Sequence, residues 1–178
     1  MAHIVSIVYT PRDVPRRPTD HYARAPVERT ILVEGRGIHD DVKGVGGLRQ
    51  LNVMREETLY ELNAEGRHTG PGEMGEQIVI SDLDPQAFVE GTRIKLGKAA
   101  IIEVGIPRTG CARFECIQGT TKQNVAGRLG VLAKVAIGGA IAVGDEVVVE
   151  KLSDFVRPES AVSKRRAAQE AKSVLKDG

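Results

Sequence analysis

The chain has two cysteines, Cys111 and Cys116, and the first of them poses the main chemical question. Cys111 ends the run Ile106-Pro107-Arg108-Thr109-Gly110-Cys111, where an apolar segment stops at a proline and Arg108 and Arg113 bracket the thiol. A helix starting just after Gly110 adds its N-terminal dipole to those two guanidiniums, and together they favour the thiolate. A thiolate is a nucleophile, a persulfide carrier or a soft metal ligand. The competing reading is an inert, buried cysteine. Cys116, in the context Phe114-Glu115-Cys116-Ile117, reads as a core residue. Five residues apart, the two thiols point about 140° apart on a helix and to opposite faces on a strand. No disulfide is expected, and two free thiols fit a reducing, cytoplasmic setting.

Other chemistry-bearing residues are more dispersed. His3, His21, His39 and His68 share no ligand-like spacing with either cysteine, so a zinc site is not expected. Asp40-Asp41 offers two carboxylates, but adjacent ones in a turn point apart. Glu73 and Glu76 stand in the turn-rich segment His68–Glu76, where they can orient a ligand amino group, act as a base, or simply face solvent. The glycine-rich stretch Gly35–Gly47 carries both charge signs and is long enough to be a binding loop. Neither segment has the Lys-Ser/Thr or the strand–helix context of a phosphate-binding nucleotide loop.

These residues need a scaffold, and the pattern predicts one built of short strands. Strands are expected over 3–9, 27–32, 49–54, 77–81, 92–96, 99–106, 130–137 and 146–150, with Gly97-Lys98 turning a hairpin. The segment 10–25, with Pro11, Pro15 and Pro18, reads as a surface loop whose His21 and Tyr22 can fold over a site. A helix is expected over 56–63, from the spacing of Leu59 and Leu62 and the Gly66 stop. A short helical piece is expected near 85–89, and a helix of open length starts near Cys111. Strands that do not alternate with long helices favour an antiparallel β-barrel with a few peripheral helices over a parallel α/β sheet. The organisation expected is a barrel over 1–150 and a basic helix over 151–178. That tail holds seven basic and four acidic side chains, with Pro158–Leu175 the helical part, packed on the barrel or on a partner.

Composition narrows the function classes. Among 178 residues, 25 Lys and Arg face 24 Asp and Glu, which argues against a general nucleic-acid or membrane-surface binder. Trp is absent and aromatics make up only 3%, so platforms for stacking bases are scarce. No run approaches the roughly 18 apolar residues of a membrane span.

Several motifs, in order, resemble the MOSC domain, the C-terminal module of molybdenum-cofactor sulfurases that also occurs as small free-standing bacterial proteins. The family's strand-ending Pro-Arg-x-Pro-Cys is similar to Pro107-Arg108-Thr109-Gly110-Cys111. Its acidic glycine loop is similar to Gly72-Glu73-Met74-Gly75-Glu76-Gln77-Ile78, followed by Ser81-Asp82-Leu83. Its upstream Gly-Ile-x-Gly-Asp-x-His-x-Gly and Arg-Gln are similar to Gly37–Gly44 and Arg49-Gln50, with Lys43 where His is usual. The likeness spans roughly residues 3–150. It implies a MOSC-type β-barrel holding a molybdopterin-type cofactor. Cys111 would then be the catalytic thiolate and molybdenum ligand, and Arg49, Lys43, Glu73, Arg108 and Thr109 would line the cofactor site. Arg49, Lys43 and Arg108 supply counter-charge to the cofactor phosphate. Implied roles are sulfur or metal transfer to the cofactor, or the cofactor component of a reductase for N-hydroxylated compounds. With no flavin, haem or iron–sulfur motif in the chain, an electron-donor or sulfur-donor protein would be needed. The alternatives are a non-catalytic barrel used for binding or assembly, with Cys111 structural, and a sulfur carrier that never holds metal.

Overall fold

The computed structural model describes residues 1–14, 18–44 and 46–152. The expected helix over 158–175 lies outside them. In chain order the elements are β1 (His3–Tyr9), β2 (Ala25–Pro26), β3 (Arg29–Val33), β4 (Gly37–Ile38), β5 (Leu51–Arg55), α1 (Glu56–Ala64) and β6 (Ile78–Ser81). They continue with β7 (Arg93–Leu96), β8 (Ala100–Pro107), α2 (Ala112–Gln118), β9 (Val131–Ile137), β10 (Gly139–Ala142) and β11 (Val147–Lys151). Short 3₁₀ turns occupy Pro85–Phe88 and Lys122–Val125.

One curled sheet of eight strands runs β11-β7-β8-β9-β5-β6-β1-β2, and a second of three runs β10-β3-β4. The fold is mainly β, as the sequence indicates. The curl brings the outer strand β11 back to the start of β1: Ile4 N–H donates to Asp145 O, Gly144 N–H to Ile4 O and Val147 N–H to Ala2 O. Strand residues such as Ile4, Ile7, Val53, Ile78, Ile80, Ile94, Ile102 and Val135 fill the space inside. Runs rich in such branched residues, bounded by turn signals, mark the strands in the sequence.

Three departures from the expected layout have physical causes. The strand foreseen over 27–32 is split. Val27 N–H still bonds Ile7 O beside β1, and the chain then leaves to form β3 against β10. β10 lies in the stretch between the strands expected over 130–137 and 146–150, where no strand is expected. Its Gly139 lies so close to β8 that an added Cβ would stand 2.9 Å from Ala100 N, so the glycine serves close approach rather than a turn. Finally, β5 and β6 pair in parallel, which requires a crossover between them. α1 belongs to that crossover. It buries Leu59 and Leu62 against Met54 and Val79 in a second apolar cluster that also takes in Phe114, Val125 and Leu129. Phe114 is thus the link that seats α2 on this cluster.

Candidate functional site

The end of β8 sets the site. Arg108 N–H bonds Gly130 O at 2.9 Å, and three residues later Cys111 occupies the N-cap of α2, its side chain spent on no capping hydrogen bond. Cys111 is exposed. Three contacts fix α2. Phe114 is fully buried. Gln118 accepts from His68 N–H and donates to His68 O and Glu73 O. The Arg113 guanidinium donates to Pro18 O at 3.2 Å and His21 O at 3.1 Å, tying the segment before β2 to the helix as a strap. The left-handed Gly119 closes the helix at its other end.

Beneath the strap lies a pocket of about 350 Å³ whose lining includes Lys43, Arg49, Arg108, Arg113 and Cys111. Arg108 donates to Met74 O at 2.6 Å and faces the Phe114 ring at 5.9 Å. Arg49 has no hydrogen-bond or ion-pair partner among the described residues, so its charge is available to a ligand. A fourth arginine, Arg24, is neutralised. It lies 3.4 Å from the fully buried Asp41 carboxylate and also donates to Thr10 Oγ1 and Gly75 O. Burial pulls the Arg24 pKa down, and Asp41 opposes that. The wall is therefore cationic, with a thiol at its lip.

Four of the six anticipated site residues, Lys43, Arg49, Arg108 and Cys111, meet in this pocket. Glu73 and Thr109 are exposed and do not line it. Glu73 Oε2 instead accepts from Gly70 N–H at 2.7 Å, shaping its own turn. Cys116 is exposed, which corrects its assignment to the core: in a seven-residue helix anchored by Phe114 and Gln118, position 116 falls on the outer side. The two Asp residues do diverge. Asp41 is buried, while Asp40 adopts a left-handed backbone with φ 60° and meets His39 at the surface. Among the described residues, no three His, Cys, Asp or Glu side chains gather as a metal cluster.

Tyr22 does fold over the site. Its ring lies under Arg113, 5.1 Å away, and against Gly75, where an added Cβ would stand 3.0 Å from the Tyr22 Cζ and 2.7 Å from Arg108 Nη2. Asn52 and Gln77 complete the inner wall. Sequence reasoning missed Asn52 because a single polar residue inside an apolar strand gives no sign of which face it occupies. Gln77 stands where the resembled family has Asn. Its amide is a hub: Oε1 accepts from Asn52 N–H at 2.8 Å, and Nε2 donates to Asp41 at 2.9 Å and to Gln50 O at 3.3 Å.

A family description of the MOSC domain matches residues 40–148. Solved structures share the fold. YuaD from Bacillus subtilis is 18% identical with a TM-score of 0.66, the match covering 83% of this chain and 94% of that one. YiiM from Geobacillus stearothermophilus is 20% identical with a TM-score of 0.65, covering 85% and 76%. YiiM from Escherichia coli is 18% identical with a TM-score of 0.64, covering 86% and 72%. No curated protein matches the chain. Among the described residues, no helix is long and apolar enough to cross a membrane.

Proposed function

The chain belongs to the MOSC domain family, which is linked to molybdenum-cofactor binding, and we propose that its pocket under the strap holds a molybdopterin-type cofactor with Cys111 as the protein thiolate ligand. One observation carries this reading: an exposed thiol, free of capping duty, sits at the lip of a cationic pocket of about 350 Å³. That volume lies within the usual range of small-molecule sites. The donor set suits the group chemically. Soft sulfur binds molybdenum well, and guanidinium and ammonium groups pair with a phosphate. The buried Asn52 Oδ1 lacks a hydrogen-bond partner among the described residues and can accept from a pterin N–H.

When bound, the cofactor supplies two-electron redox and sulfur-exchange chemistry at molybdenum. The chain's own residues bind and orient it. Arg49 and Lys43 offset its negative charge from the glycine-loop side. Arg108, keyed to Met74 O, does so from the Cys111 side. Glu73 holds the turn that leads into Met74 and Gly75. The activity we infer is sulfur or metal transfer to the cofactor, or the cofactor-bearing part of a reductase for N-hydroxylated compounds, with a separate donor protein supplying electrons or sulfur.

The test is cofactor content. Protein purified from a cofactor-producing host is expected to carry molybdenum and a fluorescent oxidised pterin in comparable amounts. Cys111→Ser is expected to lose the metal while keeping its unfolding midpoint, and Cys116→Ser to keep both. A wild-type chain without pterin, or a Cys111→Ser variant as fully loaded as wild type, would overturn the reading. Sulfane sulfur on Cys111 without molybdenum would replace it with a metal-free sulfur carrier.

A further inference from the structure

The strap puts one more polar atom on the pocket wall. Tyr22 Oη is buried; among the described residues the Arg108 guanidinium faces it and no acceptor meets its proton, although the rest of the side chain is held in place. The ring lies under Arg113 at 5.1 Å and against Gly75, with the Arg108 guanidinium beside it. Arg113 in turn pins the strap backbone on either side of Asp20, at Pro18 O and His21 O. An aromatic ring held this closely, with its hydroxyl left unsatisfied, contrasts with Tyr60, whose exposed hydroxyl simply donates to Glu56.

The surroundings decide what the hydroxyl offers. Arg108 and Arg113 are donors only, so they can face the phenol oxygen but cannot take its proton. Burial pushes the Tyr22 pKa up, outweighing the pull of the two guanidiniums. At neutral pH the proton stays on, and it has no acceptor among the described residues. A buried donor without an acceptor is a net cost to the folded chain. It is relieved by a ligand that brings a negatively charged oxygen, which the neighbouring guanidiniums also attract.

We propose that Tyr22 is a ligand-binding residue of this pocket, its hydroxyl donating to a phosphate-type oxygen that Arg108 holds from the other side. This deepens the proposed cofactor reading by naming the anion subsite, and it rests on that reading only for the identity of the molecule carrying the phosphate. It also gives Gly75 a reason: a side chain there would displace Tyr22 and Arg108 together.

The chain offers a direct readout, because it has three tyrosines and no tryptophan. Inorganic phosphate is titrated into full-length wild type and Tyr22→Phe, followed by tyrosine difference absorbance and by calorimetry. Phenylalanine keeps the ring contacts and removes the unsatisfied hydroxyl, so the unfolding midpoint is expected to hold or rise. Phosphate is expected to shift the wild-type tyrosine spectrum. In Tyr22→Phe that shift should vanish and affinity should fall about tenfold, the usual worth of a hydrogen bond to a charged group. Equal affinity in the two proteins would overturn the proposal. So would heat of binding without a tyrosine shift, or no phosphate binding by wild type up to millimolar levels. Cofactor content separates the two readings. A pterin-free wild type that binds phosphate through Tyr22 sinks the cofactor assignment and keeps the anion subsite. A pterin-loaded wild type whose Tyr22→Phe variant binds phosphate unchanged does the reverse.

Discussion

Asp41→Asn tests whether the pocket's inner wall is held by one buried carboxylate. The Asp41 side chain is fully buried and accepts four hydrogen bonds: Oδ1 from Thr10 N–H at 3.2 Å and Lys43 N–H at 2.8 Å, and Oδ2 from Gln77 Nε2 at 2.9 Å and Arg24 Nη1 at 3.4 Å. Every neighbour is a donor, so an amide fits in neither orientation. If its NH₂ takes the Oδ2 side it meets Gln77 Nε2 and Arg24. Rotating the Gln77 amide to help would turn a donor toward Asn52 N–H, which now bonds Gln77 Oε1. If the NH₂ takes the Oδ1 side it meets two backbone N–H groups. One unsatisfied buried donor costs about 1–3 kcal/mol. Removing the charge opposite a buried arginine costs about 3–5 kcal/mol when nothing compensates. Arg24 keeps Thr10 Oγ1 and Gly75 O as neutral acceptors, which softens the second figure.

These terms overlap, so the expected total is about 3 kcal/mol. With a urea m-value of about 2 kcal/mol/M, the midpoint should drop by about 1.5 M. The assay is urea unfolding followed by far-UV circular dichroism at neutral pH. The control is Asp40→Asn, next in sequence but exposed and left-handed, a conformation asparagine tolerates, and its midpoint should move by less than about 0.3 M. A second arm pairs Asp41→Asn with Arg24→Met, which removes the stranded cation and should recover part of the loss. If Asp41→Asn unfolds within about 0.3 M of wild type, the donor-only environment drawn from these distances is wrong.

Three further outcomes are expected. Glu76 is fully buried, with Oε1 accepting from Gly72 N–H and Oε2 without a partner among the described residues, and burial raises its pKa above the ordinary 4.5 despite that hydrogen bond and the nearby Arg24 and Arg108. The folded chain then binds this proton more tightly than the unfolded one, so the wild type is favoured below pH 4.5 and loses stability as pH rises through the raised value. Relative to Glu76→Gln, the wild-type urea midpoint should therefore fall with rising pH, and a constant difference would refute it. Gly130→Ala puts a Cβ against the Val53 carbonyl oxygen of β5 at a φ of +73°, so a loss of about 3 kcal/mol or more is expected by chemical denaturation. Gly75→Ala, at φ +83°, meets side-chain atoms of Arg108 and Tyr22 rather than backbone. Its stability cost should stay near the 1–2 kcal/mol of a left-handed alanine, while phosphate affinity falls as Tyr22 and Arg108 are pushed aside.

What could be read from the chain divides along a physical line. Elements with local causes were legible: β1 from its alternating branched residues, α1 from Leu59 and Leu62, the β7–β8 hairpin from Gly97-Lys98, the start of α2 from Gly110 and Cys111. What sets the pocket depends on partners far apart in sequence. Gln77 reaches Asp41 across 36 positions and Gln118 reaches His68 across 50, and no local pattern announces such pairs. The exposed positions of Cys116 and Glu73 have a related cause. Residue type suggests burial or charge but not the side of a short helix or turn that tertiary anchors will choose.

The same distinction explains how the chain tolerates its departure from the family's Pro-Arg-x-Pro-Cys at Gly110. A Cβ at 110 would stand 2.8 Å from Lys122 Cβ and 3.2 Å from Phe114 Cδ1. The 3₁₀ turn Lys122–Val125 has closed onto the loop where a proline ring would sit, and Lys122 N–H bonds Glu115 Oε1 of α2 at 2.9 Å. Proline stiffens such a loop through its own ring. Here the restraint comes from packing between the turn, α2 and Phe114. Cys111 is consequently placed by three separate anchors, Phe114 in the apolar cluster, Gln118 on the His68 backbone and Arg113 on the strap. Restoring proline at 110 should therefore cost stability, because the space it needs is already filled, and it should leave the position of the thiol unimproved.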